Sequence, residues 1–257
     1  PVRLAQSVPE AMLTTRRHSA TLRIKTGFKR DGTLVARDAE VVMDTGAYAD
    51  NGPRVAKRAI SRMIGPYKLG DCKVEVSAVY TNTVPAGSMR SIGGPQTIWA
   101  LESHMDSIAH RLGLEPLEFR MRNLLKRGEE LKSGAKPIDA DLRQGTKVAA
   151  DYVCWGERSK RIGKGRGVAV GVSDSEAMPV SVALLRLLAD GSVLLLAGTN
   201  EVDQGARTIL SQIVARELDS ERPVESQGSK IVRLREHHRA RIVQIAVKLD
   251  DRRQRGI

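Results

Sequence analysis

The chain is poor in the residues that most often announce a chemistry. Its 257 residues include only two cysteines, Cys72 and Cys154, too few for a disulfide framework or an unaided metal cluster. There is no Cys-x-x-Cys, no His-Glu-x-x-His and no Gly-x-x-x-x-Gly-Lys-Ser/Thr. An iron–sulfur carrier, a zinc protease and a P-loop nucleotidase therefore lose their usual support. Aromatic residues make up 3%, so the stacking platforms of single-strand binders are nearly missing. No apolar run approaches the ~20 residues that cross a bilayer, which argues against a membrane span. The opening Pro1–Gln6 has neither an initiator Met nor the apolar core of a secretory signal, and it reads as an interior cut. Sparse cysteine usage fits a reducing, cytoplasmic compartment.

What the chain does have is positive charge. Forty-two Lys and Arg against thirty Asp and Glu give +12, on a globular background of 41% hydrophobic residues. Residues 220–257 alone carry ten basic and five acidic side chains. That stretch lacks Gly-punctuated strands and reads as a solvated basic tail. A basic nucleic-acid-binding module is one reading of such a balance, disfavoured because the charge sits on the part that looks least folded.

Upstream the patterning is mixed. Thr21–Thr26 alternates with period two, Asp31-Gly32 supplies a tight turn, and Leu34–Met43 alternates again, which predicts a hairpin. The same arrangement returns at Val182–Leu188, Asp190-Gly191 and Val193–Ala197. Apolar residues at three- and four-residue steps predict helices over Thr97–Leu112 and Ala206–Leu218, with a shorter one from Leu117 to about Lys126. Residues 128–147 are polar, contain Gly134, Pro137 and Gly145, and read as a loop or linker. Strands and helices alternate without a regular βαβ period, so the expected class is α+β: mixed β-sheets and hairpins with packed helices.

Three glycine-rich segments are candidate ligand loops. Gly163–Gly167 (G-K-G-R-G) precedes the β-like run Val168–Val172, the wrong order for a dinucleotide fingerprint. Pro85–Gln96 lies directly before a helix, where exposed amides favour anions and Arg90 adds a planar charged donor. It reads equally well as a sharp loop whose Arg90 ties carbonyls together. Gly198–Gly205 lies between a strand and a helix, and Gln204 there can donate and accept hydrogen bonds to a heterocycle. The plainer reading is a connection in which Asp203 caps the helix.

Taken together and in order, these segments resemble a known family. The blocks are P-V-R-L (1–4), D-T-G-A-Y-A-D (44–50), G-P-Y-K-L (65–69), V-Y-T-N-T-V-P-A-G (79–87), M-R-S-I-G-G-P-Q (89–96), A-L-E-S-H-M-D (100–106), L-G-L-E-P-L-E-F-R-M-R-N-L-L (112–125) and G-K-G-R-G-V-A-V-G (163–171). Over roughly residues 1–219 they are similar to the molybdenum-binding large subunit of the xanthine dehydrogenase/aldehyde oxidase family. The resemblance implies an aldehyde oxidase/xanthine dehydrogenase molybdopterin-binding-like fold. It also implies a molybdenum–molybdopterin cofactor, which can be a dinucleotide, and oxidative hydroxylation of an aldehyde or N-heterocycle with oxygen from water. Electrons would pass to 2Fe-2S clusters and FAD on an iron–sulfur subunit and a FAD-binding subunit, or on fused domains, in an assembly such as a dimer of heterotrimers.

Residue by residue, the family's R-G-F-G-x-P-Q segment matches at Arg90, Gly93, Pro95 and Gln96, and its G-x-x-E-x-G-Q-G segment at Gly198, Glu201, Gln204 and Gly205. The resemblance implies cofactor contacts at Arg90, Gly93, Gly198, Gln204 and Gly205, and a substrate contact at Arg58; no residue is expected as a metal ligand. The two turns are expected to converge, so that Arg90 and Gln204 line one pocket. There are departures: Ser91 and Asp203 replace usual glycines, and Ile92 replaces the aromatic that stacks on planar substrates, which argues against a purine. The general-base glutamate segment is not found, nor is the Gly-Phe-Gly block that precedes P-V-R-L. The abrupt change after Leu218 is what a reading-frame change or premature end would produce.

The expected organisation is a first part of the molybdopterin-binding region at 1–127, a linker at 128–162, a second part at 163–219 and the basic tail at 220–257. A catalytically inactive scaffold of the same fold is the alternative, and this chain alone is expected to be inactive.

Overall fold

A computed structural model describes residues 2–131, 137–157, 163–173, 183–189, 192–199, 201–218, 223–224 and 231–233. The chain divides into two compact units, residues 1–175 and 176–257.

The first unit opens with a short helix, α1 (Val8–Thr14), whose residues are largely exposed. The expected hairpin follows as β1 (Ser19–Phe28) and β2 (Leu34–Gly46), antiparallel with Lys25 opposite Asp38. Gly32, at φ +86°, makes the turn; a Cβ there would come 2.6 Å from Leu114. Next come α2 (Gly52–Ile64) and β3 (Asp71–Tyr80), and β3 pairs parallel to β2. The sheet order is β1-β2-β3. One βαβ crossover thus stands inside the α+β arrangement, carried by a helix whose signal is Val55, Ala56, Ala59 and Met63 at helical spacing.

The helices cover one face of this sheet. α3 runs Gly94–Leu112, three residues longer at its start than the periodicity predicts, because Pro95 sits in the first turn. α4 runs Pro116–Asn123, with the Glu115 carboxylate accepting from the Leu117 and Glu118 amides as its cap. Ala39, Val41 and Met43 of β2 meet Val55, Ala59 and Met63 of α2 and Leu101, Met105 and Ile108 of α3, in a core closed by Tyr67, Phe119 and Leu124. Each large apolar side chain so buried contributes about 1.5–3 kcal/mol. The opposite face carries Arg23, Glu40, Lys25, Asp38 and Lys73, which alternation turns to water.

Residues 128–147 correct the expected linker in part. Leu142–Tyr152 is a helix, α5, whose first turn is capped by the Asp141 carboxylate on the Gln144 amide at 2.9 Å. Only Thr146 and Ala150 are buried on it. A face that narrow, interrupted by Gly145, leaves a faint periodic signal. Val168–Val172, which reads as β-like, belongs to no named strand.

In the second unit, β4 (Ala183–Leu187) and β5 (Ser192–Ala197) form the second expected hairpin; its Asp190-Gly191 turn lies outside the described residues. α6 (Ala206–Glu217) follows, packing Val214 and Ala215 against Val193 of β5. Two short strands, β6 (Pro223–Val224) and β7 (Ile231–Arg233), complete a sheet of order β4-β5-β7-β6. The sheet therefore extends into the stretch expected to be a solvated tail. The rest of 220–257 lies outside the described residues.

Candidate functional site

The first glycine-bearing turn is built from the end of the sheet. Asp44 anchors it. Its Oδ1 accepts from the Gly46 amide at 2.7 Å and the Thr81 hydroxyl at 2.5 Å, and its Oδ2 pairs with Arg16 Nη2 at 2.6 Å. The Thr81 hydroxyl, then the Gly46 amide and Arg16, hold this carboxyl below the usual aspartate range. Gly46 permits close approach of the returning chain, since a Cβ there would lie 2.3 Å from the Val84 carbonyl oxygen. Ala86 N–H then donates to Thr45 O and Gly87 N–H to Arg16 O, which brings residues 85–87 alongside the approach to β1.

From there the chain makes a left-handed run. Ser91, Ile92 and Gly93 have φ of +75°, +39° and +78°, and Ile92 N–H closes on Met89 O at 2.8 Å. Gly93 is the N-cap of α3, and its missing Cβ would lie 3.1 Å from the Val55 carbonyl oxygen of α2. The steric need for glycine at 93 is thus set by helix packing. Arg90 is exposed on the turn, and its carbonyl accepts from Arg17 Nη1 at 3.1 Å. Arg58 is half-buried on α2, the helix that packs Val55 and Ala59 beneath Gly93. Arg17, Arg58 and Arg90 therefore belong to segments that meet around this turn.

Two groups that sequence reasoning left off the site complete it. Gln96, in the first turn of α3, donates Nε2 to the His18 carbonyl at 2.7 Å. Its Oε1 is buried with no hydrogen-bond partner among the described residues, and so is Nε2 of His18, a side chain 2% exposed. Burial first, and Arg16 second, lower the His18 pKa. A buried acceptor without a donor costs about 1–3 kcal/mol, so an orphan here is a reason to look for a ligand. The exposed Arg90 cation and an unsatisfied carboxamide at the start of a 19-residue helix fit an anionic ligand that also carries hydrogen-bond donors. Gln96 was legible as part of the matched segment; nothing in the sequence singles out His18.

The second turn is organised differently. Glu201 closes it, accepting from the Gly205 amide at 2.9 Å and the Arg207 amide at 3.2 Å. These bonds, Arg207's foremost, hold its carboxyl below the usual range. Glu201 therefore supplies a carboxylate at the helix entrance, two residues from Asp203, where the cap was expected. Gln204 is exposed and its Oε1 accepts from the Val202 amide at 2.6 Å. Gly198 and Gly205 have open space where a Cβ would stand, and Gly205 needs glycine for its φ of +77°.

Several charges in the matched blocks serve the fold. Glu102 accepts from Arg120 Nε at 2.8 Å, Tyr67 Oη at 2.7 Å and the Val170 amide at 2.9 Å. Arg120, with no exposed side chain, also reaches Asp106 at 2.6 Å. Burial and the Glu102 charge push the Tyr67 hydroxyl's pKa well up. Removing one partner of such a buried pair costs about 3–5 kcal/mol. Among the described residues no group of three or more His, Cys, Asp or Glu could hold a metal ion, and no helix is long and apolar enough to cross a membrane.

Comparison with known proteins bears on the ligand. Two family models, each described as a molybdopterin cofactor-binding domain, match residues 1–124 and 144–227. The putative xanthine dehydrogenase molybdenum-binding subunit of Escherichia coli K12 is 33% identical over 228 residues, covering 84% of this chain and 30% of its own length. The nicotinate dehydrogenase large molybdopterin subunit of Eubacterium barkeri is 37% identical over 135 residues, 52% of this chain and 32% of its own. Among solved structures, quinoline 2-oxidoreductase from Pseudomonas putida 86 matches with a TM-score of 0.60 at 22% identity, over 83% of this chain and 30% of that one, a likeness of fold. The chain thus spans about 30% of the length of the curated relatives it matches.

Proposed function

We propose, from the premise that the chain belongs to the xanthine dehydrogenase/aldehyde oxidase family of molybdopterin-binding subunits, that it supplies part of the cofactor pocket of an oxidative hydroxylase. The observation that carries this reading is the left-handed turn at Met89–Gly93, with Arg90 exposed and the buried Gln96 Oε1 lacking a donor. Arg90, with the Gln96 amide, would bind the phosphate of a molybdenum–molybdopterin cofactor, with or without its nucleotide, and Gln96 Oε1 would accept from a pterin N–H. Gln204, flanked by Gly198 and Gly205, is the candidate cofactor contact of the second turn. When bound, this group supplies a two-electron oxidation that places an oxygen from water on a carbon beside nitrogen or oxygen.

The substrate class is an aldehyde or N-heterocycle. Ile92 supplies an apolar wall without a stacking ring, and Arg58 is the candidate substrate contact. Relatives from Escherichia coli are molybdenum-binding subunits, and this chain is read as working with an iron–sulfur subunit and a FAD-binding subunit, or fused domains, in the cytoplasm and in a dimer of heterotrimers. Co-production with candidate iron–sulfur and flavin subunits in a molybdopterin-synthesising host tests it. Purified complex should carry molybdenum and pterin, and Arg90→Ala should lose most of both. Intact subunit binding with neither present would sink this reading and leave the scaffold alternative.

A further inference from the structure

We propose that Arg62 is a positioning residue for the Met89–Gly93 turn: its buried guanidinium holds the left-handed backbone on which Arg90 stands, so cofactor retention depends on it through the loop. The proposal rests on the reading of that turn as cofactor-binding. Arg62 lies one helical turn beyond Arg58 on α2 and is 6% exposed. Its Nη1 donates to the Arg58 carbonyl at 3.2 Å and to the Ile92 carbonyl at 3.1 Å, and its Nη2 donates to Ser173 Oγ at 3.1 Å. One planar cation therefore joins α2, the turn and the chain that follows Gly163–Gly171.

Ile92 is where such a brace is needed. A β-branched residue at φ +39° is a backbone outlier that costs about 1–3 kcal/mol and persists only where its surroundings over-determine it. Inside the turn the restraints are two amide bonds, Ile92 N–H to Met89 O and Gly94 N–H to Ser91 O. From outside, Arg62 grips the carbonyl of the same residue. Gly94 makes room here: a Cβ at 94 would lie 2.3 Å from Ser91 Oγ, 3.0 Å from Arg62 Nε and 3.1 Å from Arg62 Cδ. The second glycine of Gly93-Gly94 is thus explained by the side chains of Ser91 and Arg62 that crowd it. Lysine cannot replace this geometry, since one tetrahedral ammonium lacks the planar fork that reaches a carbonyl and a hydroxyl together.

The test uses the full chain co-produced with the iron–sulfur and flavin subunits in a molybdopterin-synthesising host, with Arg62→Lys, Arg62→Ala, Ser173→Ala and Arg90→Ala. Two quantities are read: pterin per chain, by fluorescence after oxidative release, and amide hydrogen exchange over residues 89–94 and over residues 39–43 of β2. Arg62→Lys should speed exchange at 89–94 by about tenfold with β2 unchanged, and lower pterin content severalfold. Ser173→Ala should do both more weakly. Millimolar guanidinium should return protection and pterin to Arg62→Ala.

Wild-type protection and pterin content in Arg62→Lys would overturn the proposal, as would loss of protection spread equally into β2. If Arg90→Ala loses pterin while Arg62→Lys keeps it, only the role of Arg62 falls. If Arg90→Ala keeps its pterin, the cofactor reading of the turn falls and takes this proposal with it.

Discussion

The two glycine-bearing turns share a composition and differ in what holds them. The first is fixed by distant parts of the chain: Arg17 on the Arg90 carbonyl, Val55 of α2 against Gly93, Gln96 on the His18 carbonyl. The second is fixed locally, by Glu201 on amides four and six residues ahead and by Gln204 on Val202. Glycine is demanded by crowding and conformation together at 93, by conformation alone at 205, and by neither contact nor positive φ at 198. A turn held by tertiary contacts presents its side chains only when its unit is folded, whereas a locally closed turn persists while its own helix does.

Alanine substitution sharpens that difference most. Gly93→Ala adds a Cβ in the left-handed region and against a backbone carbonyl, so it should cost about 2–4 kcal/mol in urea unfolding. Gly205→Ala meets only the conformational penalty of about 1–2 kcal/mol, and Gly198→Ala should be close to neutral. Equal costs at 93 and 205 would break the contrast.

The next effect has the opposite sign. Ser91 and Asp203 stand where the family pattern has glycine, yet both keep positive φ, at +75° and +66°. The backbone has kept the glycine conformation after losing the residue that suits it. Ser91→Gly should therefore stabilise by about 0.5–1 kcal/mol, seen as a higher Tm. Asp203→Gly should gain less, because aspartate tolerates the left-handed region better than serine.

These cases mark what the sequence discloses. Both hairpins, the α3 and α6 helices and the two candidate turns were legible, because alternation, helical spacing and Asp-Gly punctuation are local signals. α5 was hidden by its narrow face, with Gly145 inside it and only Thr146 and Ala150 buried. α2 had a readable apolar face but took its importance from what sits on it. His18, Arg62 and the Glu102–Arg120 pair act across tens of residues, as from Arg62 to Ser173. No spacing rule reports that distance. The departures at Ser91 and Asp203 were visible as letters; only the backbone angles show that the turns kept their shape.

The smallest predicted effect separates the two regions by pH. In the first unit Arg37 Nε donates to Thr26 Oγ1 at 3.3 Å, and the Thr26 hydroxyl lies 3.1 Å from His104 Nε2. The Thr26 hydroxyl, which accepts from arginine through its oxygen, still has its proton to donate to an unprotonated ring nitrogen. Burial, then Arg37, lower the His104 pKa below its ordinary 6.5. The folded protein then binds fewer protons than the unfolded chain, so stability is full above about pH 6.5 and declines as pH falls below it. Glu201, whose carboxyl is also lowered, adds stability that is present above its ordinary 4.5 and is lost as pH falls through the depressed value. Residue-resolved hydrogen exchange along an acid series should show β1 and α3 losing protection first and the start of α6 only at lower pH. His104→Gln should shrink the upper transition, to which His18 also contributes, and leave the lower one in place, while Glu201→Gln should do the reverse. A single transition shared by both regions, unmoved by either variant, would mean that the two units titrate as one and that the contrast between distant and local support does not extend to their protons.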